Sequence, residues 1–192
     1  METKTDLTDI LRRYLQRYPD EQARQSGYAE FLDRTDDHRL YVRDNFDGHL
    51  TASAFVLDAS MERLLLIHHR ALDKWLQPGG HIDATDPRIL HAAQREVEEE
   101  TGLPASQLSL LDGSEGGIPF DIDSHPIPAN ARKNEDSHVH HDIRFLFKYT
   151  GSSDIIINEA ESMDYKWVAL RQLEGDALFG NMVKKIRGRV GQ

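Results

Sequence analysis

Apolar residues recur at helical spacing from the start of the chain. Leu7, Ile10, Leu11, Tyr14 and Leu15 form one stripe, Pro19-Asp20 breaks it, and Ala23, Tyr28, Phe31 and Leu32 mark a second. Residues 6–35 are therefore expected to be helical, with Gly27 weakening the second helix. The simplest use of both stripes is packing against the rest of the domain; a homodimer contact through the N-terminal helices is the alternative. The polar run Arg34-Thr35-Asp36-Asp37-His38 divides an N-terminal helical extension, residues 1–38, from a main domain, residues 39–192.

Shorter periods follow. Leu50 to Leu57 and Arg63 to His69 read as strands joined by a turn at Asp58-Ala59-Ser60, and both are apolar enough for the inside of a helix-covered sheet. Lys74 to Pro78 leads into a glycine loop at Gly79-Gly80, and Gln107 to Leu111 is a further strand. Asp112 to Gly117 reads as a flexible loop. Residues 118–137, with three prolines, read as a long irregular insertion that is either a binding loop or a linker.

Next, Val139, His141, Ile143, Phe145 and Phe147 alternate with His138, His140, Asp142, Arg144 and Leu146, a strand with the first set facing the core. Three readings stand for the second set. It is a solvated face, a phosphate or nucleotide contact through Arg144 and His140, or a metal site on His138, His140 and Asp142. The chain closes with a strand from Asp154 to Ile157, an acidic loop from Asn158 to Asp164, a strand from Tyr165 to Leu170, and a largely helical stretch from Arg171 to Arg189.

The densest chemistry lies between the glycines and Leu103. Asp86 suits the N-cap of a helix, Pro87 its first position, and Gly102 the left-handed residue that stops it. Ile89, Leu90, Ala93 and Val97 supply the apolar stripe. Glu96, Glu99 and Glu100 crowd one patch near the helix C-terminus, where the macrodipole disfavours negative charge. A solvated acidic face is the general reading of such a helix; a bound divalent cation would remove the repulsion. Oxygen ligands would select magnesium, manganese or calcium over zinc.

Composition then narrows the options. A formal net charge of −10 argues against binding long nucleic acid, although a bound metal can still attract a small anionic substrate. The chain has no cysteine, which excludes disulfides, thiolate zinc sites and cysteine nucleophiles. No apolar run reaches membrane-spanning length, and Met1 to Asp6 lacks the features of a signal peptide, so a cytoplasmic protein is expected.

The stretch from Gly80 to Leu103 resembles the Nudix box, G-x5-E-x7-R-E-U-x-E-E-x-G-U with U aliphatic. Gly80 matches the glycine, and Arg95-Glu96-Val97-Glu98-Glu99-Glu100-Thr101-Gly102-Leu103 matches the second half. Asp86 stands in place of the first Glu, and eight residues rather than seven separate it from Arg95. The resemblance implies an α/β (α+β) fold, an α/β/α sandwich around a mixed sheet, with the N-terminal helices as an extension.

It also implies a metal-dependent hydrolase of a diphosphate bond in a nucleoside diphosphate-linked or related small phosphorylated metabolite. Glu96, Glu99, Glu100 and the Gly80 carbonyl would hold Mg2+ or Mn2+. Arg95 would orient an acid, and Glu99 or a downstream acid, Glu159 or Glu161, would be the general base. Arg144, His140 and His81 are the candidate substrate contacts. A non-catalytic nucleotide- or metabolite-binding module on the same fold is the alternative, against which the intact acidic triplet argues.

Overall fold

Strand β1 (His49–Leu57) is buried along its whole length and forms the spine of the sheet. It pairs in parallel with β7 (His138–Tyr149), with His49 opposite His140 and Ser53 opposite Arg144. On its other side it pairs antiparallel with β2 (Arg63–His69) and β4 (Gly79–His81). Strands β3 (Lys74–Leu76) and β8 (Ser162–Ala169) flank β2. Strands β5 (Leu108–Leu110) and β6 (Asp121–Ile127) share the far edge of β7. The computed structural model describes residues 1–111, 117–130 and 135–190, and among these the eight strands make one mixed sheet.

Alternation along the strands divides the core in two. Leu50, Ala52, Ala54 and Val56 of β1, with Ile143, Phe145 and Phe147 of β7, pack under three helices. These are α1 (Lys4–Arg17), α2 (Ser26–Arg34) and α3 (Ile89–Thr101). Phe55, Leu57 and Leu146 face the other way, onto Met182, Val183 and Ile186 of α4 (Gly180–Val190). The result is the expected α/β/α sandwich. Each large side chain fully buried in either layer contributes roughly 1.5–3 kcal/mol.

The apolar stripes of α1 and α2 are spent inside the chain. Leu7, Leu11, Tyr14, Tyr28, Phe31 and Leu32 belong to the same cluster as Leu50 and Phe147. The homodimer alternative therefore loses its surface. Helix α1 begins where Thr3 and Asp6 exchange hydrogen bonds, the Asp6 amide onto Thr3 Oγ1 at 3.2 Å and the Thr3 amide onto Asp6 Oδ2 at 2.9 Å.

Four local expectations change. The predicted glycine loop is strand β4, paired with Thr51 to Ser53. The predicted irregular insertion contains β6, whose Pro126 is tolerated because β6 is an edge strand. Residues 154–157 form no strand; Ile156 donates its amide to the Thr101 carbonyl at 2.9 Å and so backs the end of α3. Among the described residues the C-terminal stretch is helical only in a short turn at Leu170–Gln172 and over Gly180–Val190. The flexible loop expected at Asp112 to Gly117 lies outside the described residues except for Gly117.

Candidate active site

Helix α3 brings the acids to the sheet. It starts at Ile89, whose amide donates to Glu2 Oε2 at 3.0 Å, and Arg88 occupies the N-cap position, so Asp86 is not the N-cap. Gly102 ends it with φ of 70°, the left-handed geometry that glycine adopts without strain. Glu96 and Glu100 lie on the inward face, 8% and 2% exposed, whereas Glu99 is exposed. Gly80 lies against the Glu96 carboxylate, where a β-carbon would stand 2.7 Å from Oε2, so no larger residue fits without displacing the acid.

Strand geometry explains how Glu100 is met. The Ala54 amide bonds the Pro78 carbonyl at 2.9 Å, so Ala52 and Gly80, two residues along, form the next hydrogen-bonded pair. Gly79 falls between, with its polar groups turned away from β1, and its amide donates to Glu100 Oε2 at 2.9 Å. Burial pushes Glu96 up to about 7 and Glu100 up to about 8. Arg95 offsets part of this for Glu96 and the Gly79 amide part of it for Glu100, while the charges of Glu99 and Glu161 add to it for both.

Arg95 is the hub of the site. Its Nη1 donates to Glu96 at 2.9 Å and to Glu99 at 3.1 Å, and its Nη2 donates to the His81 carbonyl at 2.9 Å. Nε and Nη2 grip Asp86 at 3.1 and 3.0 Å, and Asp86 also accepts the Asp83 amide at 2.8 Å. Burial acts to raise Asp86, but the Arg95 hydrogen bonds outweigh it and hold the carboxyl below its ordinary range. Glu161 reaches the same acids from the loop before β8, which is tied to α3 by the Asn158 amide on the Glu100 carbonyl at 3.2 Å. All donors here are oxygens, two of them on carboxylates that burial opposes, and such a set fits a hard divalent cation.

The far face of the sheet carries a second polar region. The Arg144 side chain is 17% exposed and donates to Asp142 at 2.8 Å, to Asp123 at 2.8 Å and to Asp121 at 3.4 Å. Its expected phosphate contact is therefore replaced by an internal ion cluster, which Arg24 and Lys185 extend through Asp121 at 2.6 and 2.9 Å. Burial would raise Asp123, but its bond from His125 and the charges of Arg144 and Arg24 hold it at about 2.

Asp142 also accepts from Ser53 at 2.7 Å and from Thr51 at 3.2 Å, so it does not join His138 and His140 in a metal site. His49 takes its place. Among the described residues, the one trio of side chains whose donor atoms lie within 4.8 Å of one another is His49, His138 and His140. The acids on α3 are spread wider, with Arg95 between them. The His81 ring stacks on His49 at 5.2 Å between centroids, away from Arg95. Sequence reasoning missed His49, whose role depends on the parallel pairing of β1 with β7, and the side of β4 to which Gly79 turns.

Comparisons with known proteins agree with this architecture. A family model described as NUDIX domain matches residues 47–186, a span that contains the sheet, α3 and most of α4. The chain is 33% identical over 111 residues to a probable DHNTP pyrophosphohydrolase of Lactococcus lactis subsp. cremoris, covering 58% of this chain and 60% of that one. It is 39% identical over 56 residues to the asymmetrical bis(5'-nucleosyl)-tetraphosphatase of Mus musculus, covering 29% of this chain and 37% of that one. The matched parts thus span less than two thirds of either relative. Among solved structures, an Ap4A hydrolase binary complex from C. elegans superposes with a TM-score of 0.57 at 18% identity, over 74% of this chain and 97% of that one. At that identity the likeness concerns the fold.

Proposed function

The chain belongs to the Nudix family, and from that membership and the geometry around α3 we propose that it hydrolyses a phosphoanhydride bond with Mg2+ or Mn2+. One observation carries the reading. Glu96 and Glu100 are buried side by side and raised toward neutral pH, an arrangement that costs stability unless a cation completes it. Glu96, Glu99 and Glu100 would hold the metal, with the Gly79 carbonyl in place of that of Gly80. The Gly79 carbonyl turns to the same side as its amide, whereas Gly80 is paired to Ala52. When bound, the metal neutralises phosphate charge and acidifies water.

The protein's own groups do the rest. Arg95 is a positioning residue that keeps Glu96 and Glu99 apart and aimed. Glu161 is the general base in this reading, because its carboxylate makes no hydrogen bond or ion pair among the described residues, whereas Glu99 is tied to Arg95. It would take the proton as water oxygen bonds phosphorus and the leaving phosphate departs. His81 gives its carbonyl to Arg95 but turns its ring to His49, so a substrate contact through that ring would lie on the histidine side of the sheet.

The substrates named for the two relatives, a dihydroneopterin triphosphate and a dinucleoside tetraphosphate, head the panel to assay. Glu96→Gln, Glu99→Gln and Glu100→Gln should each lower turnover with both metals, and Glu161→Gln should lower kcat while metal affinity holds. Undiminished turnover in the first three variants would sink the proposal.

A further inference from the structure

A cluster of histidines lies on the opposite side of the sheet from α3. We propose that His49, His138 and His140 form a three-imidazole site for a divalent transition metal, zinc foremost. The Nε2 atoms of His138 and His140 are 3.1 Å apart. Two nitrogens bound to tetrahedral zinc at about 2.0–2.1 Å stand about 3.3 Å from each other. His49 completes the triangle, with ring centroids 5.0 Å from His138 and 4.7 Å from His140.

The ring tautomers are set for ligation. His138 Nδ1 lies 2.7 Å from the Asp136 carbonyl, and since a carbonyl only accepts, that nitrogen carries the proton and Nε2 the lone pair. His49 is arranged alike, its Nδ1 3.4 Å from the Asn45 carbonyl. His49 is 1% exposed and its Nε2 has no hydrogen-bond partner among the described residues, which is costly for a buried polar atom. An imidazole whose Nδ1–H is fixed by a carbonyl and whose Nε2 is bare has the form metal-bound histidine takes. Zinc entry needs only that the His140 proton, which now bridges from its Nε2 to His138, be exchanged for one on Nδ1, leaving a neutral ring with its Nε2 lone pair free.

Hardness separates the two centres. Imidazole nitrogens select zinc, copper, nickel or cobalt, and carboxylates with a backbone carbonyl select magnesium or manganese. The histidine site joins the starts of β1 and β7, so the metal would clamp the two parallel strands at the sheet's centre.

Titration of tag-free protein with Co2+, followed by its visible d–d absorption, and competition with Zn2+ test this. One equivalent should bind at roughly micromolar affinity or better. It should persist in a Glu96→Gln/Glu100→Gln double variant and be lost in His138→Asn and in His140→Asn. A readout free of variants is the 15N shift of His49 Nε2 on adding zinc, together with a rise in Tm. Unchanged stoichiometry in both histidine variants, its loss in the glutamate double variant, or an unmoved His49 resonance in the wild-type protein would overturn the assignment.

Discussion

Two groups of carboxylates, buried or half-buried, lie on opposite faces of one sheet and have opposite electrostatics. Glu96 and Glu100 are pushed up to about 7 and 8, while Asp123 is held at about 2. Burial acts in the same direction on all three. The difference is the supply of cations. The aspartates share Arg144, Arg24 and Lys185, whereas Glu96 shares Arg95 with Asp86 and Glu99, and Glu100 has, among the described residues, only a backbone amide. One region is electrically complete within the chain and the other is not. Acids that are neutralised within the chain are thereby told apart from acids that are not, without reference to where they sit in the sequence.

The contrast breaks hardest at Arg144. Replacing it with Met leaves Asp121, Asp123 and Asp142 facing each other and should cost about 3–5 kcal/mol in urea unfolding at pH 7. A loss below about 1 kcal/mol would mean that the aspartates are not held as described. Glu100→Gln should do the reverse. Turnover should fall roughly 100-fold or more, while the unfolding midpoint of chelator-treated protein holds or rises, because a buried charge has gone.

A pH series in chelator sharpens the same contrast. Glu96 and Glu100 bind protons more tightly when folded, so their contribution is full below the unfolded value and is lost as pH climbs from about 4.5 through 7 to 8. Asp123 binds its proton less tightly when folded, so its contribution is full above about 4 and is lost as pH falls toward 2. Thermal melts of wild type and of Glu96→Gln should therefore converge in mild acid and separate near pH 8, with the variant higher. Parallel profiles would count against the uncompensated burial of Glu96. The smallest effect is expected at Asp86→Asn, which loosens Arg95 and should lower kcat/KM about tenfold, with Mg2+ affinity falling in step.

Much of this was legible from local periodicity. Helix α3, its stop at Gly102, the two faces of β7 and the packing stripes of α1 and α2 all follow from residues a few positions apart. What escaped depends on distant pairings. Arg144 looked available because Asp121 and Asp123 arrive on β6, a strand disguised by Pro126 and its polar residues. His49 opens an apolar strand, and its alignment with His140 comes from a parallel register that no short motif encodes. Asp86 fits the rule for a helix cap, but the bidentate grip of Arg95 engages its carboxylate instead.

That last contact bears on how such a motif varies. The carboxylate at Asp86 is one methylene shorter than a glutamate, and the chain between it and Arg95 is one residue longer than the family pattern. Where a side-chain tip ends up is the sum of backbone path and side-chain reach, so a shortened arm and a lengthened tether can cancel. The two departures then amount to one compensated change, which a pattern of fixed spacing scores as two errors. In this chain the two meet at the guanidinium, with the Asp86 carboxylate 3.1 Å from Nε and 3.0 Å from Nη2 of Arg95.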